Sequence, residues 1–147
     1  MRHKLLHENG GQRTYAVILE TGEEVMDCLK RFVAAEKVRA AQLTAIGAFS
    51  DAVLLYFNWG RKEYQRIAVL EQVEVASLIG DVAEEPSGEA ALHVHLVLGK
   101  QDGAAMAGHL GEAHVRPTLE VIVTESPAHL RKRKDPQSGL ALIRIDA

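Results

Sequence analysis

From Val25 onward the apolar residues Val25, Cys28, Leu29, Phe32 and Val33 recur at i, i+3, i+4, i+7 and i+8, while Asp27, Lys30, Arg31 and Glu36 fall between them. That period places one apolar stripe and one charged stripe on a single helix. Thr21-Gly-Glu-Glu24, immediately upstream, reads as a capping box, with the threonine oxygen on the first-turn amides and Glu24 reaching back. Elsewhere the period shortens to two. Residues 13–19, 40–48, 51–58, 64–70, 72–80, 90–98, 117–123 and 140–146 read as strands. Asn58-Trp59-Gly60-Arg61 and Asp102-Gly103 read as turns between strands.

One helix followed by many strands predicts an α+β fold: a mostly antiparallel twisted sheet of about seven or eight strands, with one main amphipathic helix and short helices. The 147 residues fit one domain, and residues 1–11 are expected to be a flexible amino-terminal segment. Val53-Leu54-Leu55-Tyr56-Phe57 is apolar on both strand faces, so a second layer must cover it, from a helix or a neighbouring subunit.

Charge narrows the functional classes. A net charge of −3 argues against wrapping nucleic acid through bulk electrostatics. No apolar run approaches the roughly 20 residues of a membrane helix, and Met1-Arg-His-Lys-Leu-Leu-His7 lacks a signal-peptide core, so a cytoplasmic location is expected. Cys28, the only cysteine, excludes an intrachain disulfide and a cysteine zinc cluster. Its place on the apolar stripe makes it a buried structural thiol.

The chemistry gathers at Leu92-His93-Val94-His95-Leu96-Val97-Leu98-Gly99. In a strand, Leu92, Val94, Leu96 and Leu98 take one face and His93 and His95 the other. Their Cα atoms then lie roughly 6 to 7 Å apart, a span two imidazoles can close on one ion. The turn at Asp102-Gly103 lets the chain reverse and return His109 toward the pair. Three neutral histidines with an open fourth position suit zinc or a similar divalent metal. Asp102, Glu112 and Glu120 are nearby carboxylates for orienting the rings from the second shell. His114 is a candidate fourth ligand, though an exposed histidine is the more ordinary reading. His3 and His7 are weak metal candidates, and His129 is placed in a loop.

His-x-His at 93–95, Leu-Gly-x-x-Asp-Gly at 98–103, Gly-His-Leu at 108–110 and Pro-Thr-Leu-Glu-Val at 117–121 occur in one order. With Tyr15-Ala-Val-Ile-Leu-Glu-Thr-Gly-Glu-Glu24, Ala45-Ile-Gly-Ala48 and Glu74-Val-Ala-Ser-Leu-Ile-Gly80, this set resembles the PPC domain over nearly the whole chain. That domain accompanies AT-hook DNA-binding motifs in plants and stands alone in bacteria and archaea. Ala107 stands where the family often has a first glycine before Gly-His-Leu, which leaves the histidine in place. The resemblance implies a homotrimer with the metal site near a subunit boundary, and a DNA-binding or regulatory role by association.

The AT-hook core Gly-Arg-Pro is absent from all 147 residues, and Arg116-Pro117 is not such a core. The remaining candidate for DNA contact is Arg131-Lys132-Arg133-Lys134, placed in a loop, for which a solvated solubilising run is the plainer account. Tyr56 and Trp59 could stack on bases, but aromatic residues beside a hairpin turn more often pack together. A metal-dependent hydrolase or lyase, with Asp102 or Glu112 moving the proton, is a third class for which no cleft is legible in sequence. The sequence reading is therefore a trimeric module binding metal or a small ligand at His93, His95 and His109, not a classical enzyme. DNA regulation is the alternative.

Overall fold

The computed structural model describes residues 1–126 and 130–145. Nine strands and one helix run in the order β1 (Arg2–Asn9), β2 (Gln12–Glu20), α1 (Val25–Ala35), β3 (Ala41–Asn58), β4 (Glu63–Val69), β5 (Val73–Glu84), β6 (Ala90–Gly99), β7 (Ala105–Glu125), β8 (Arg131–Lys134) and β9 (Ala141–Arg144). Every ladder is antiparallel except a single parallel bridge from β5 to β8. The twisted, mostly antiparallel sheet is as expected, but among the described residues it has nine strands rather than seven or eight, and the fold is mostly β. The additional short helices do not form: α1 is the one helix among the described residues.

Helix α1 forms where the apolar stripe places it, burying Val25, Cys28, Leu29, Phe32 and Val33. Its start differs from the capping-box expectation. Glu24 is the N-cap and accepts from the Asp27 amide at 2.6 Å, whereas the Thr21 hydroxyl turns away and donates to the Pro117 carbonyl at 3.1 Å. A carboxylate satisfies the exposed first-turn amides as well as a hydroxyl does, and also meets the positive end of the helix dipole.

Residues 1–11, expected to be flexible, are largely strand. β1 pairs with β2 from Arg2↔Ile18 to Asn9↔Gln12, although all its side chains are exposed. Backbone pairing orders this segment without an apolar face for sequence patterning to detect. His3 lies on Phe32 and faces Glu36 at 2.9 Å, and His7 is exposed on the same strand.

Two expected strands, 40–48 and 51–58, are one long β3, and 117–123 is only the second half of β7. β3 pairs with β5 and β7, β5 pairs with β6, and β6 pairs with β7, so the ladders return on themselves and curl the sheet around its core. Register shifts in β3 near Gly47, Phe49 and Val53 absorb the bend. Inside lie Val17, Leu19, Phe49, Leu54, Leu96, Leu98, Leu119 and Val121 with the apolar stripe of α1.

In the run expected to need covering on both faces, Leu54 is buried while Val53, Leu55 and Phe57 are half-buried. Phe57 meets Trp59 and Tyr64 edge to face, and Lys62 lies over the Trp59 ring. Among the described residues no helix is long and apolar enough to cross a membrane.

Candidate metal centre

Strand alternation builds the site. On β6, Val94, Leu96 and Leu98 enter the core, leaving His93 and His95 exposed on the opposite face. The turn after Gly99 closes through Gly103 N donating to the Lys100 carbonyl, with Asp102 Oδ1 accepting from the Ala104 amide. β7 then runs back along β6, and His109 falls directly opposite His95.

His93 Nε2 stands 3.1 Å from His95 Nε2 and 3.2 Å from His109 Nδ1. One ligand atom from each of the three rings lies within 4.8 Å of the others. Three nitrogens bound to zinc at 2.0–2.1 Å with tetrahedral angles would be about 3.3 Å apart, so two of the three edges are already near bonding geometry.

Metal ligation needs neutral rings. Burial, followed by the neighbouring His95 and His93, pushes the His109 pKa down to about 4, and burial with His93 lowers that of His95. Both shifts leave the His95 and His109 rings neutral at neutral pH, each with one nitrogen lone pair to offer.

The carboxylate beside this cluster is Asp81. It lies opposite His93 in the β5–β6 ladder, with Oδ2 3.3 Å from His93 Nδ1. A carboxylate so placed favours a ring proton on Nδ1, which would leave the Nε2 lone pair toward the other histidines. Gly80 makes this approach possible, since a Cβ at that position would stand 2.6 Å from the His93 carbonyl oxygen. The Tyr64 ring packs edge-on against His109 with centroids 5.2 Å apart.

The three carboxylates expected in this role are not beside the histidines in this way. Asp102 caps its own turn, Glu112 reaches Arg66 at 3.7 Å, and Glu120 is exposed opposite Ile18 and Ile46. His114 faces Asp51 at 2.8 Å rather than the three histidines. His129 lies outside the described residues. Asp81 lies one residue beyond the expected strand 72–80, which in the structure continues to Glu84. Pairing that strand antiparallel with 90–98 is the signal that would have found it.

Two concavities meet at Asp81 and His93. One, of about 820 Å³, runs along the sheet past Gln42, Thr44, Ile79, His95 and Thr124. The other, of about 500 Å³, lies between the histidines and β9, lined by Tyr64, His109, Lys132, Leu142 and Ile143.

The basic run expected in a loop is strand β8. Arg131, Arg133 and Lys134 are exposed, while Lys132 is buried. Pairing of β8 with β9, from Arg131↔Arg144 to Lys134↔Ala141, imposes the extended form that turn residues alone do not reveal.

Residues 6–127 match the family model for the Plants and Prokaryotes Conserved (PCC) domain. No curated protein sequence matches the chain. A plant- and prokaryote-conserved (PPC) protein of Pyrococcus horikoshii is similar at 30% identity, over 96% of this chain and 99% of that one, with a TM-score of 0.84. A metal-containing protein of Archaeoglobus fulgidus is similar at 29% identity, over 99% of both chains, with a TM-score of 0.82. A protein of Ralstonia eutropha, described as a candidate DNA-binding protein, is similar at 25% identity, over 90% of this chain and 91% of that one, with a TM-score of 0.82. The chain belongs to the Plants and Prokaryotes Conserved domain family.

Proposed function

We propose that the chain is a homotrimeric binding module, located in the cytoplasm, that holds one zinc-like divalent metal on His93, His95 and His109 and serves a small ligand there rather than acting as a classical enzyme. The convergence of three histidine ring nitrogens, with His109 held neutral by its surroundings, carries this reading. The metal-containing relative supports it, as does Asp81 in the orienting position. A divalent ion so held would supply Lewis acidity and an open coordination position to an oxygen or nitrogen ligand.

The outer sheet face supports self-association. Ile122, Thr44, Ile79 and His95 lie side by side across four strands, and Ile46, Ile79 and Ile122 are exposed. An apolar row leading into the histidines favours a second copy of the chain against this face, which would set the metal centre at a subunit boundary. Light scattering should give three times the 16.1 kDa chain mass.

The test of the metal reading is zinc titration against a chromophoric chelator. The wild-type protein should take up about one equivalent per chain. The His93→Ala/His95→Ala variant should take up none while keeping its circular dichroism spectrum. A wild-type protein that leaves all zinc with the chelator would end this reading.

DNA binding is the second reading, favoured by the similarity to the Ralstonia protein and by the exposed cations Arg131, Arg133 and Lys134. Affinity carried by phosphate contacts should fall steeply with added salt and weaken in an Arg131→Ala/Lys134→Ala variant. Lys132, being buried, is not an available phosphate contact.

A further inference from the structure

We propose that Lys132 is a positioning residue of the metal centre, acting through Asp81 on His93, and that it ties docking of the β8–β9 hairpin to occupancy of that centre. The inference rests on the reading of His93, His95 and His109 as metal ligands.

A buried ammonium is costly unless it is paired, yet the Lys132 side chain is only 7% exposed between exposed cations. Its Nζ stands 3.7 Å from Glu85 Oε1 and 4.0 Å from Asp81 Oδ1. Asp81 Oδ1 is buried and accepts no hydrogen bond from the described residues, while Oδ2 of the same carboxylate faces His93 Nδ1. One carboxylate therefore stands between the lysine and the ligand histidine. A short advance of Nζ would give Oδ1 its missing donor and fix the plane in which Oδ2 meets the ring. An unsatisfied carboxylate oxygen would otherwise leave that plane free to rotate.

The hairpin's attachment makes this contact consequential. Among the described residues, β8 joins the sheet through one bridge, Glu84↔Arg131, and the Glu84 amide donating to the Leu130 carbonyl at 2.8 Å. Beside these bonds, the ion pairs of Lys132 and that of Arg131 with Glu84 at 3.6 Å tie the hairpin to β5 and the residues just after it. Once docked, Leu140, Ala141, Leu142 and Ile143 wall the 500 Å³ cavity that opens on His93 and His109. The hairpin lies beyond residues 6–127, the part that matches the family model. If hairpin docking raises metal affinity through Lys132 and Asp81, linkage requires metal to strengthen docking by the same factor.

The experiment measures zinc affinity by chelator competition, and amide hydrogen exchange of residues 131–144 with and without zinc, on wild type, Lys132→Met, Lys132→Arg and Asp81→Asn. Lys132→Met and Asp81→Asn should each weaken zinc about 10–100-fold, the range for loss of a partner behind a metal ligand. Lys132→Arg should recover most of that loss. Zinc should slow hairpin exchange in wild type and leave it unchanged in Lys132→Met. If Lys132→Met undocks the hairpin even without zinc, Asp81→Asn decides the case from within β5. Zinc affinity in Asp81→Asn equal to wild type, or wild-type hairpin exchange indifferent to zinc, would overturn the inference while leaving the histidine site standing. A wild-type protein that takes up no zinc would remove the site itself, and this inference with it.

Discussion

His95 and His109 face each other across the β6–β7 ladder with their ring centroids 4.0 Å apart. Two charged imidazoles that close would repel; burial and then His95 push the His109 pKa down to about 4, whereas that of His95 is lowered by burial and then by His93. His109→Ala should therefore relieve crowding and leave the fold intact while removing a ligand. Zinc affinity should fall by more than the 10–100-fold typical of an orienting partner. Chelator competition measures the first effect and thermal unfolding the second.

Gly80 is where β5 and β6 come closest beside His93. In Gly80→Ala the new methyl would stand 2.6 Å from the His93 carbonyl, so the ladder must open at Asp81 and His93. The expected cost is about 1–3 kcal/mol in denaturant unfolding, with weakened zinc binding as well. Gly10→Ala, with no atom within 4 Å of the added Cβ, is the comparison that should leave zinc affinity unchanged.

Arg13 holds Glu125 with two hydrogen bonds, at 2.5 and 2.8 Å, and also donates to the Glu36 carbonyl. The Glu125 side chain is only 10% exposed, so Arg13→Ala leaves a nearly buried carboxylate unpaired. Destabilisation of about 2 kcal/mol is expected, below the figure for a fully buried pair because the Arg13 side chain is 26% exposed. Equilibrium urea unfolding at neutral pH checks it.

The Asp51 carboxylate raises the His114 pKa above 6.5 through a direct hydrogen bond, and His114 in turn lowers that of Asp51 below 3.8. The raised histidine contributes stability that is complete below pH 6.5 and lost as pH rises through its folded-state value. The lowered carboxylate contributes stability present above pH 3.8 and lost as pH falls through its own folded-state value. The pair is thus fully effective between about pH 4 and 6.5. Both side chains are more than a third exposed, so the contribution is under about 1 kcal/mol. Asp51→Asn should flatten the decline in Tm between pH 6 and 8.

The sequence made the helix and the two-histidine strand legible because each carries a clear period, 3.6 for Val25 to Val33 and 2 for Leu92 to Leu98. His109 was reachable because Asp102-Gly103 announces a reversal. β1 and β8 were not legible, since their side chains are mostly exposed and only backbone pairing makes them strands. Asp81 was hidden for a different reason. Its role comes from the register between β5 and β6, and three other carboxylates lay nearer to His109 in sequence. Lys132 shows the same limit: a run of four cations looks uniform until a neighbouring strand buries one of them.

X-ray absorption at the zinc edge, on protein loaded with one equivalent, tests the central claim most directly. The account predicts three imidazole nitrogens at about 2.0–2.1 Å with a light-atom fourth ligand, and loss of the imidazole signature in His93→Ala/His95→Ala. A six-coordinate oxygen shell, or an imidazole signature that survives the double substitution, would contradict it.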